Sequence, residues 1–342
     1  MTQHVRPRLW IVTGAEGFLG NNLVRELLSR GERVRACTFE SERPSSLAGL
    51  SCELTPLDVT DRASVTAAFE HPDSVETVVV HCAGVVSIAS RVSAATRRVN
   101  VDGTQQVIDV CAELGVDKLV YVSSVHAIPE PRMDVPIFEL DQPLAFNPDA
   151  VVGEYAKTKT EATRAVLLAE NLWRVVVHPS GMIGPGDFAD SHMTRLVRDT
   201  VSGSLTAVVR GGYDFVDVRD VVQGIIAAAT SGTNGRSYIF SGHFSKVAEM
   251  VRTVARLAGT KRNFSTLPMW FAELTAPLAE LYYRVRGTKP LYTRYSLHTL
   301  RAPSRFSNAR AARELGFTPR PLADTLRDTV RWLKNLSPAT AV

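Results

Sequence analysis

A glycine-rich turn near the start of the chain constrains the fold more than any other feature. The turn, TGAEGFLG, places Gly14, Gly17 and Gly20 between an apolar strand at 9–13 and an amphipathic helix at 21–29. In such a unit the first glycine permits a tight turn, the second lets a pyrophosphate approach the backbone, and the third lets the helix pack on the strand. The free N–H groups of the helix N-terminus favour phosphate as well. The turn therefore predicts a dinucleotide site.

Strand and helix patterns continue to alternate up to residue 179. The predicted strands lie at 33–39, 77–81, 118–123 and 173–178, and the predicted helices at 64–70, 101–114 and 155–171. Valine-rich strands that alternate with helices predict an α/β fold with a parallel sheet covered on both faces. After Pro179 the pattern is mixed, and sheet-like segments return near 212–245. We therefore expect a second region that is interleaved with the first.

Composition excludes several classes of protein. The 342 residues are 45% hydrophobic, and 39 basic against 35 acidic residues leave a net charge of +4, spread along the chain. This balance is typical of a globular protein and does not favour nucleic-acid binding. The four cysteines are too far apart for a disulfide framework or a zinc site, so no metal is expected. No apolar run long enough to span a membrane and no secretory leader is visible, which predicts a cytoplasmic protein.

A tyrosine and a lysine four residues apart suggest acid–base chemistry. Tyr155 and Lys159 share one face of the predicted helix 155–171. A nearby ammonium favours the phenolate and lowers the pKa of a tyrosine, which can then exchange a proton with a substrate oxygen. Ser123 or Ser124, at the end of the strand 118–123, could hydrogen-bond the same oxygen. These residues predict a site for interconverting an alcohol and a carbonyl.

The choice of cofactor depends on the loop after the second strand. Glu40 lies 20 residues after Gly20, where an acid would bind the adenosine ribose and favour NAD. Arg35 and Arg43 flank it and could instead meet the 2′-phosphate of NADP. Both cofactors remain open on this evidence.

Taken together, the motifs resemble the extended short-chain dehydrogenase/reductase family, which includes the NAD-dependent epimerases and dehydratases. The resemblance covers nearly the whole chain. It is carried by the segments TGAEGFLG, PLDVTD with Asp58, HCAGVVS from His81, NVDGT with Asn100, YVSSVHA with Ser124, YAKTK from Tyr155 to Lys159, HPSGMIGPGD from His178, and YDFVDVRDVVQGI.

This resemblance implies a Rossmann-type, doubly wound parallel sheet at 1–180, with return segments near 212–245. It also implies a smaller, interleaved C-terminal substrate lobe at 181–211 and 246–342, and often a homodimer. The implied catalytic residues are Ser124, Tyr155 and Lys159. With Glu40 added from its spacing, the expected cofactor-binding residues are Gly14, Gly17, Phe18, Leu19, Gly20, Glu40, Asp58, Val59, Cys82, Ala83, Gly84, Tyr155, Lys159, Pro179, Gly181 and Met182.

Departures from the family pattern narrow the function. Val125 and His126 follow Ser124 where the dehydratases carry Asp-Glu, which disfavours dehydration. At the segment HPSGMIGPG, the chain resembles the branch of dihydroflavonol reductases and 3β-hydroxysteroid dehydrogenases. NADP-dependent members carry an arginine where Phe39 stands, and the usual NAD-selecting acid would fall at Thr38. NAD is therefore favoured by a small margin over NADP.

The first hypothesis is an NAD(P)-dependent oxidoreductase that interconverts a secondary alcohol and a ketone on an apolar, steroid- or flavonoid-like small molecule. A sugar-nucleotide epimerase would use the same Ser/Tyr/Lys set and would need a diphosphate grip in the second lobe. Candidates for that grip are Arg210, Arg219, Arg301 and Arg305. A third hypothesis is a non-catalytic NAD(P)-sensing protein.

An aromatic segment at 269–285 and the nearby Tyr292 and Tyr295 have several interpretations. The segment could be a core-facing helix of the substrate lobe, a wall for a flat apolar substrate, or a helix on a membrane surface. His126 and His192 lie near site motifs and are interpreted as ordinary structural or solvent-facing histidines.

Overall fold

Alternating strands and helices build the chain up to residue 180, and shorter elements follow. The structure, a computed structural model, describes residues 6–39, 44–87, 93–131, 135–261, 264–276 and 293–336. The strands are β1 (Arg8–Thr13), β2 (Arg33–Thr38), β3 (Glu53–Pro56), β4 (Glu76–His81), β5 (Lys118–Val122), β6 (Arg174–Pro179), β7 (Gly181–Ile183), β8 (Ala207–Val209), β9 (Gly212–Asp217), β10 (Ser237–Phe240), β11 (His243–Lys246) and β12 (Ser265–Leu267). The first eight helices are α1 (Phe18–Ser29), α2 (Arg62–Phe69), α3 (Ala94–Arg97), α4 (Gly103–Glu113), α5 (Glu154–Leu168), α6 (His192–Ser202), α7 (Val218–Ser231) and α8 (Val247–Ala258). Further helices lie at 269–276, Arg294–Thr299, Ala309–Leu315 and Leu322–Asn335.

Seven strands form one sheet, in the order β10-β6-β5-β4-β1-β2-β3. Every neighbouring pair in this sheet is parallel. Because the chain runs from β1 to β3 on one side and then crosses to β4 on the other, the sheet has the doubly wound, Rossmann-type order. The predicted fold class is confirmed.

Side-chain alternation along the strands explains why helices cover both faces. In β1, Trp10 and Val12 point to a core that includes α1 and α7, while Leu9 and Ile11 point to a core that includes α2, α4 and α5. Successive side chains of a strand point to opposite faces, so a strand that is apolar throughout must be buried on both.

A third core lies in the C-terminal part of the chain. It joins residues of α6, α8 and Leu322–Asn335 with Phe215 of β9. Strand β9 pairs in parallel with β7 and antiparallel with β11, outside the seven-stranded sheet. Val216, the residue of β9 that follows Phe215, belongs to the core of α1 and α7. The division of the chain at residue 180 stays a prediction.

Helix α1 begins three residues earlier than the apolar periodicity indicated. Gly17 adopts the extended backbone of an N-cap residue, so the helix starts at Phe18 and includes Gly20. In the part of the chain that the structure describes, no helix combines the length and the apolar character needed to cross a membrane. The homodimer and the cytoplasmic location stay predictions.

Candidate active site

The glycine turn places three backbone segments in close contact at the carboxyl end of β1. Gly14 has a left-handed φ of 65°, and a Cβ there would lie 2.8 Å from the Ala83 Cα. A Cβ on Gly20 would lie 2.2 Å from the Gly14 carbonyl oxygen. Both glycines are therefore required by the protein's own packing.

Gly17 differs, because a Cβ there would meet only the Gly14 carbonyl oxygen, at 3.2 Å. No side chain of the described residues caps α1, whose first residues are Phe18 and Leu19 and whose first turn holds no acid. The space above Gly17 and the uncapped N–H groups fit a pyrophosphate. The turn residues thus suit a dinucleotide on grounds of shape and charge.

Ser124, Tyr155 and Lys159 come together at the carboxyl end of β5. All three are nearly buried, with 9%, 7% and 5% of their surfaces exposed. Ser124 is the second residue after β5, and its hydroxyl hydrogen-bonds that of Tyr155 in the first turn of α5. One turn later, Lys159 Nζ donates to the Val122 carbonyl oxygen at 2.9 Å. Ser123 instead exchanges a hydrogen bond with Thr163 at 2.6 Å, so Ser124 is the serine that faces the tyrosine.

Burial controls the protonation of this cluster. It raises the pKa of Tyr155 above its ordinary value, and the hydrogen bond from Ser124 opposes this rise. Burial also lowers the pKa of Lys159 to about 8. The expected lowering of the pKa of Tyr155 is therefore not found, because burial raises it. At neutral pH Tyr155 is a phenol, which is the form that donates a proton to a carbonyl oxygen.

Asn100 holds the loop after β4 in place. Its side chain accepts from the Val85 N–H at 2.8 Å and donates to the Val85 carbonyl oxygen at 3.0 Å and to Thr158 Oγ1 at 3.1 Å. It lies in a π-helical turn, Arg98–Asp102, between α3 and α4. A Cβ on Gly84 would lie 3.3 Å from Asn100 Oδ1 and 3.4 Å from Lys159 Nζ. This loop and the catalytic helix are thus tied to each other.

The buried end of β4 fixes the backbone that leads to Gly84. His81 shares a hydrogen bond of 2.8 Å with Thr13 Oγ1, which also accepts from the Ala83 N–H. Burial lowers the pKa of His81 to about 3, so it is a neutral structural residue. Cys82 packs on the core of α1 and α7, and burial raises the pKa of its thiol to about 12.

At the adenosine end, Asp58 is oriented by Thr60, whose N–H and hydroxyl both donate to Asp58 Oδ1 at 2.8 Å. Val59 packs under Gly103, since a Cβ on that glycine would lie 2.7 Å from Val59 Cγ2. Glu40 and Arg43 lie outside the described residues. Arg35 is held by Glu53 at 2.7 Å and by two carbonyl groups, so it is not free to bind a 2′-phosphate.

A carboxylate that the sequence analysis did not single out lies in the same region. Glu16, inside the glycine turn, accepts a hydrogen bond from the Phe39 N–H at 3.2 Å. The sequence signal that could have found Glu16 is a charged residue in a turn whose other residues are mostly small or apolar.

Beyond β6, the backbone passes close to a partly buried cluster of aromatic rings. Pro179 ends β6, Gly181 and Met182 begin β7, and a Cβ on Gly181 would lie 2.8 Å from the Tyr213 ring. The Tyr213 hydroxyl shares a hydrogen bond of 2.7 Å with His126 Nε2. Burial lowers the pKa of His126 to about 4, which makes it a neutral residue of the site wall.

Tyr295 completes this cluster. Its ring lies 6.1 Å from that of His126, and a Cβ on Gly153 would lie 2.2 Å from the Tyr295 ring. The Tyr295 hydroxyl is buried, and no described residue forms a hydrogen bond with it. Of the aromatic segment, residues 269–276 form a helix on which Trp270 and Leu274 are largely exposed. Residues 277–285 and Tyr292 lie outside the described residues.

The candidate arginines for a diphosphate grip are differently placed. Arg219 is paired with Asp217 at 2.7 Å and with Asp328 at 2.9 Å. Arg301 is paired with Glu273 at 2.5 Å. Arg210 and Arg305 are exposed. Two of the four candidate guanidinium groups, those of Arg219 and Arg301, are thus already paired with carboxylates.

Comparison with known proteins identifies the family. The family model described as the NAD dependent epimerase/dehydratase family matches residues 10–240. The chain belongs to this family. The predicted assignment to NAD(P)-dependent enzymes of the short-chain dehydrogenase/reductase superfamily is confirmed.

Relatives of the epimerase/dehydratase family that resemble this chain include two with sterol-related names. Sterol demethylase protein B of Methylococcus capsulatus is 31% identical over 330 residues, which cover 95% of this chain and 98% of the relative. The human sterol-4-alpha-carboxylate 3-dehydrogenase, decarboxylating, is 32% identical over 225 residues, 64% of this chain and 56% of the relative. The crystal structure of gox2253 has a TM-score of 0.80 at 29% identity and covers 95% of this chain and 98% of its own.

Proposed function

We propose that this protein is an NAD-dependent oxidoreductase that interconverts a secondary alcohol and a ketone on an apolar, steroid- or flavonoid-like substrate. The observation that carries the proposal is the buried contact of the Ser124 and Tyr155 hydroxyls, one helical turn from Lys159. Such a cluster can hold one substrate oxygen and exchange one proton with it.

In the direction of reduction, each residue has a separate task. Tyr155 donates its proton to the carbonyl oxygen, and Ser124 orients that oxygen by a hydrogen bond. Lys159, held by the Val122 carbonyl oxygen, places positive charge next to the developing phenolate. The bound nicotinamide supplies the hydride. In the direction of oxidation, Tyr155 accepts the proton that it donated.

An apolar substrate is supported by the side chains around this cluster. Val85 and Val86, directly after Gly84, are 41% and 68% exposed. Tyr213 and Tyr295 add aromatic surface beside His126, which is neutral. Flat apolar molecules bind best to such surfaces. The sterol-related names of the two relatives agree with this class of substrate.

The test is net turnover of the nicotinamide, followed by absorbance. Purified protein is offered NAD, NADP or their reduced forms with hydroxysteroids, flavonoid-type ketones and sugar nucleotides. We expect turnover of NAD with one apolar class. Tyr155→Phe should lower the rate at least ~100-fold while cofactor binding is retained.

Tyr238→Phe is the matched control. Tyr238 is a buried tyrosine on the outer strand β10, and its hydroxyl donates a hydrogen bond to Glu314 of the helix Ala309–Leu315. This control should keep its activity. An unchanged rate in Tyr155→Phe would contradict the mechanism. Interconversion of sugar nucleotides without net turnover would favour the epimerase instead, and cofactor-dependent partner binding without any turnover would favour a sensor.

A further inference from the structure

The carboxylate of Glu16 has one bonded oxygen and one buried oxygen that no described residue satisfies. Oε1 accepts from the Phe39 N–H at 3.2 Å, across 23 residues of sequence. Oε2 is shielded from solvent, and no donor among the described residues reaches it. A buried carboxylate oxygen without a donor is unfavourable, and a ligand hydroxyl would satisfy it.

Glu16 lies where the fold binds the adenosine ribose. The Ala15 N–H donates to the Cys37 carbonyl oxygen at 3.1 Å, which fixes the glycine turn against the end of β2. In dinucleotide-binding folds an acid at the end of this strand accepts from the ribose 2′-OH. Here β2 ends at Thr38, and Phe39 follows. Among the described residues, the acid that reaches this place comes from the glycine turn.

The charges of nearby described residues also favour a ribose hydroxyl over a 2′-phosphate. Arg35, the basic residue of β2 that could have met a 2′-phosphate, is bonded to Glu53 and to the Ala68 and Glu70 carbonyl groups. Glu16 lies one residue before the N-cap Gly17, and its carboxylate reaches the Phe39 N–H just after β2. A phosphate placed beside this carboxylate would be repelled.

We infer that Glu16 selects NAD over NADP: its free oxygen accepts a hydrogen bond from the ribose 2′-OH, and its charge excludes a 2′-phosphate. This inference rests on the proposed use of NAD, but it does not depend on the proposed substrate or on hydride transfer.

Binding of cofactor fragments without nicotinamide tests the inference separately from the reaction. The affinities of ADP-ribose and 2′-phospho-ADP-ribose are measured by calorimetry for the wild type and Glu16→Gln. Glutamine keeps an acceptor for the Phe39 N–H and removes the charge. We expect the wild type to prefer ADP-ribose, and we expect Glu16→Gln to bind it about tenfold more weakly because a charge-assisted hydrogen bond is lost. The variant should bind 2′-phospho-ADP-ribose about tenfold more tightly.

Glu32→Gln is the matched control, because it changes the net charge equally at the opposite end of β2. It should leave both affinities unchanged. If Glu16→Gln does not fold, Glu16→Ser carries the same expectations. Equal binding of the two fragments by the wild type, or a Glu16 variant whose preference stays within twofold of the wild type, would overturn the inference. Failure of ketone reduction would leave these affinities unaffected and would refute only the proposed reaction.

Phe39→Arg gives a second and independent test. An arginine at this position would lie beside Glu16, so its charge should be largely neutralised while Glu16 is present. The double variant with Glu16→Gln should therefore gain more affinity for 2′-phospho-ADP-ribose than the two single changes combined. Strict additivity would contradict a carboxylate that faces this position.

Discussion

A paired substitution in the glycine turn separates a glycine needed by the ligand from one needed by the fold. Gly17→Ala places a methyl group 3.2 Å from the Gly14 carbonyl oxygen, at a backbone conformation that alanine adopts easily. Reduced entropy of the unfolded chain and a weaker helix cap nearly offset each other, so the free energy of unfolding should change by less than about 1 kcal/mol. The same methyl group, however, occupies the space above the turn.

Gly20→Ala has the opposite effect. Its methyl group would lie 2.2 Å from the Gly14 carbonyl oxygen and 3.0 Å from the Ala15 Cα, so α1 must move away from the strand. Overpacking of this kind costs about 3 kcal/mol. At roughly 2–4 °C per kcal/mol, the melting temperature should fall by about 6 °C or more.

The assay combines thermal unfolding of the ligand-free protein with calorimetric binding of NAD. Gly17→Ala should melt like the wild type and bind NAD about 10- to 100-fold more weakly, because one charge-assisted hydrogen bond to phosphate is lost. Two results would refute this reasoning. One is a Gly17→Ala variant that binds NAD normally, and the other is a Gly17→Ala variant that is destabilised as much as Gly20→Ala.

Two further predictions concern pH. Burial lowers the pKa of Lys159 to about 8, so between pH 8 and 10.5 the unfolded chain binds a proton that the folded chain has lost. The free energy of unfolding should therefore rise with pH in this range. Urea titrations should show this rise in the wild type, and the same rise in Lys159→Met would contradict its assignment to Lys159. Burial lowers the pKa of His81, His126 and His178 to about 3, 4 and 4, so stability should fall as pH drops from about 6.5 to 4. The fall should be shallower in His81→Asn, and an equal fall would show that other groups cause it.

Much of the fold and the centre of the site followed from local sequence. The glycine turn needs only a strand before it and a helix after it, and Tyr155 and Lys159 need only a helix to share one face. Valine-rich strands with no polar face required helices on both sides of the sheet. Each of these signals is confined to a stretch of about 20 residues or fewer, where periodicity and turn chemistry are informative.

The remaining features depend on contacts between distant parts of the chain. Tyr213 meets His126 across 87 residues, and Glu16 meets Phe39 across 23. Arg219 looked available for a diphosphate until its two aspartate partners were located. The pKa of Tyr155 also differed from the expectation, because burial, which spacing does not reveal, raises it.

Strand β9 has a consequence for engineering this protein. Phe215 packs into the C-terminal core and Val216 into the core beneath the sheet, while Tyr213 reaches His126 beside the catalytic serine. A chimaera that exchanges substrate specificity with a related enzyme therefore cannot have its junction just before or just after β9. The residues on one face of the strand must match the parent that supplies the C-terminal core. Those on the other face must match the parent that supplies the core of α1 and α7.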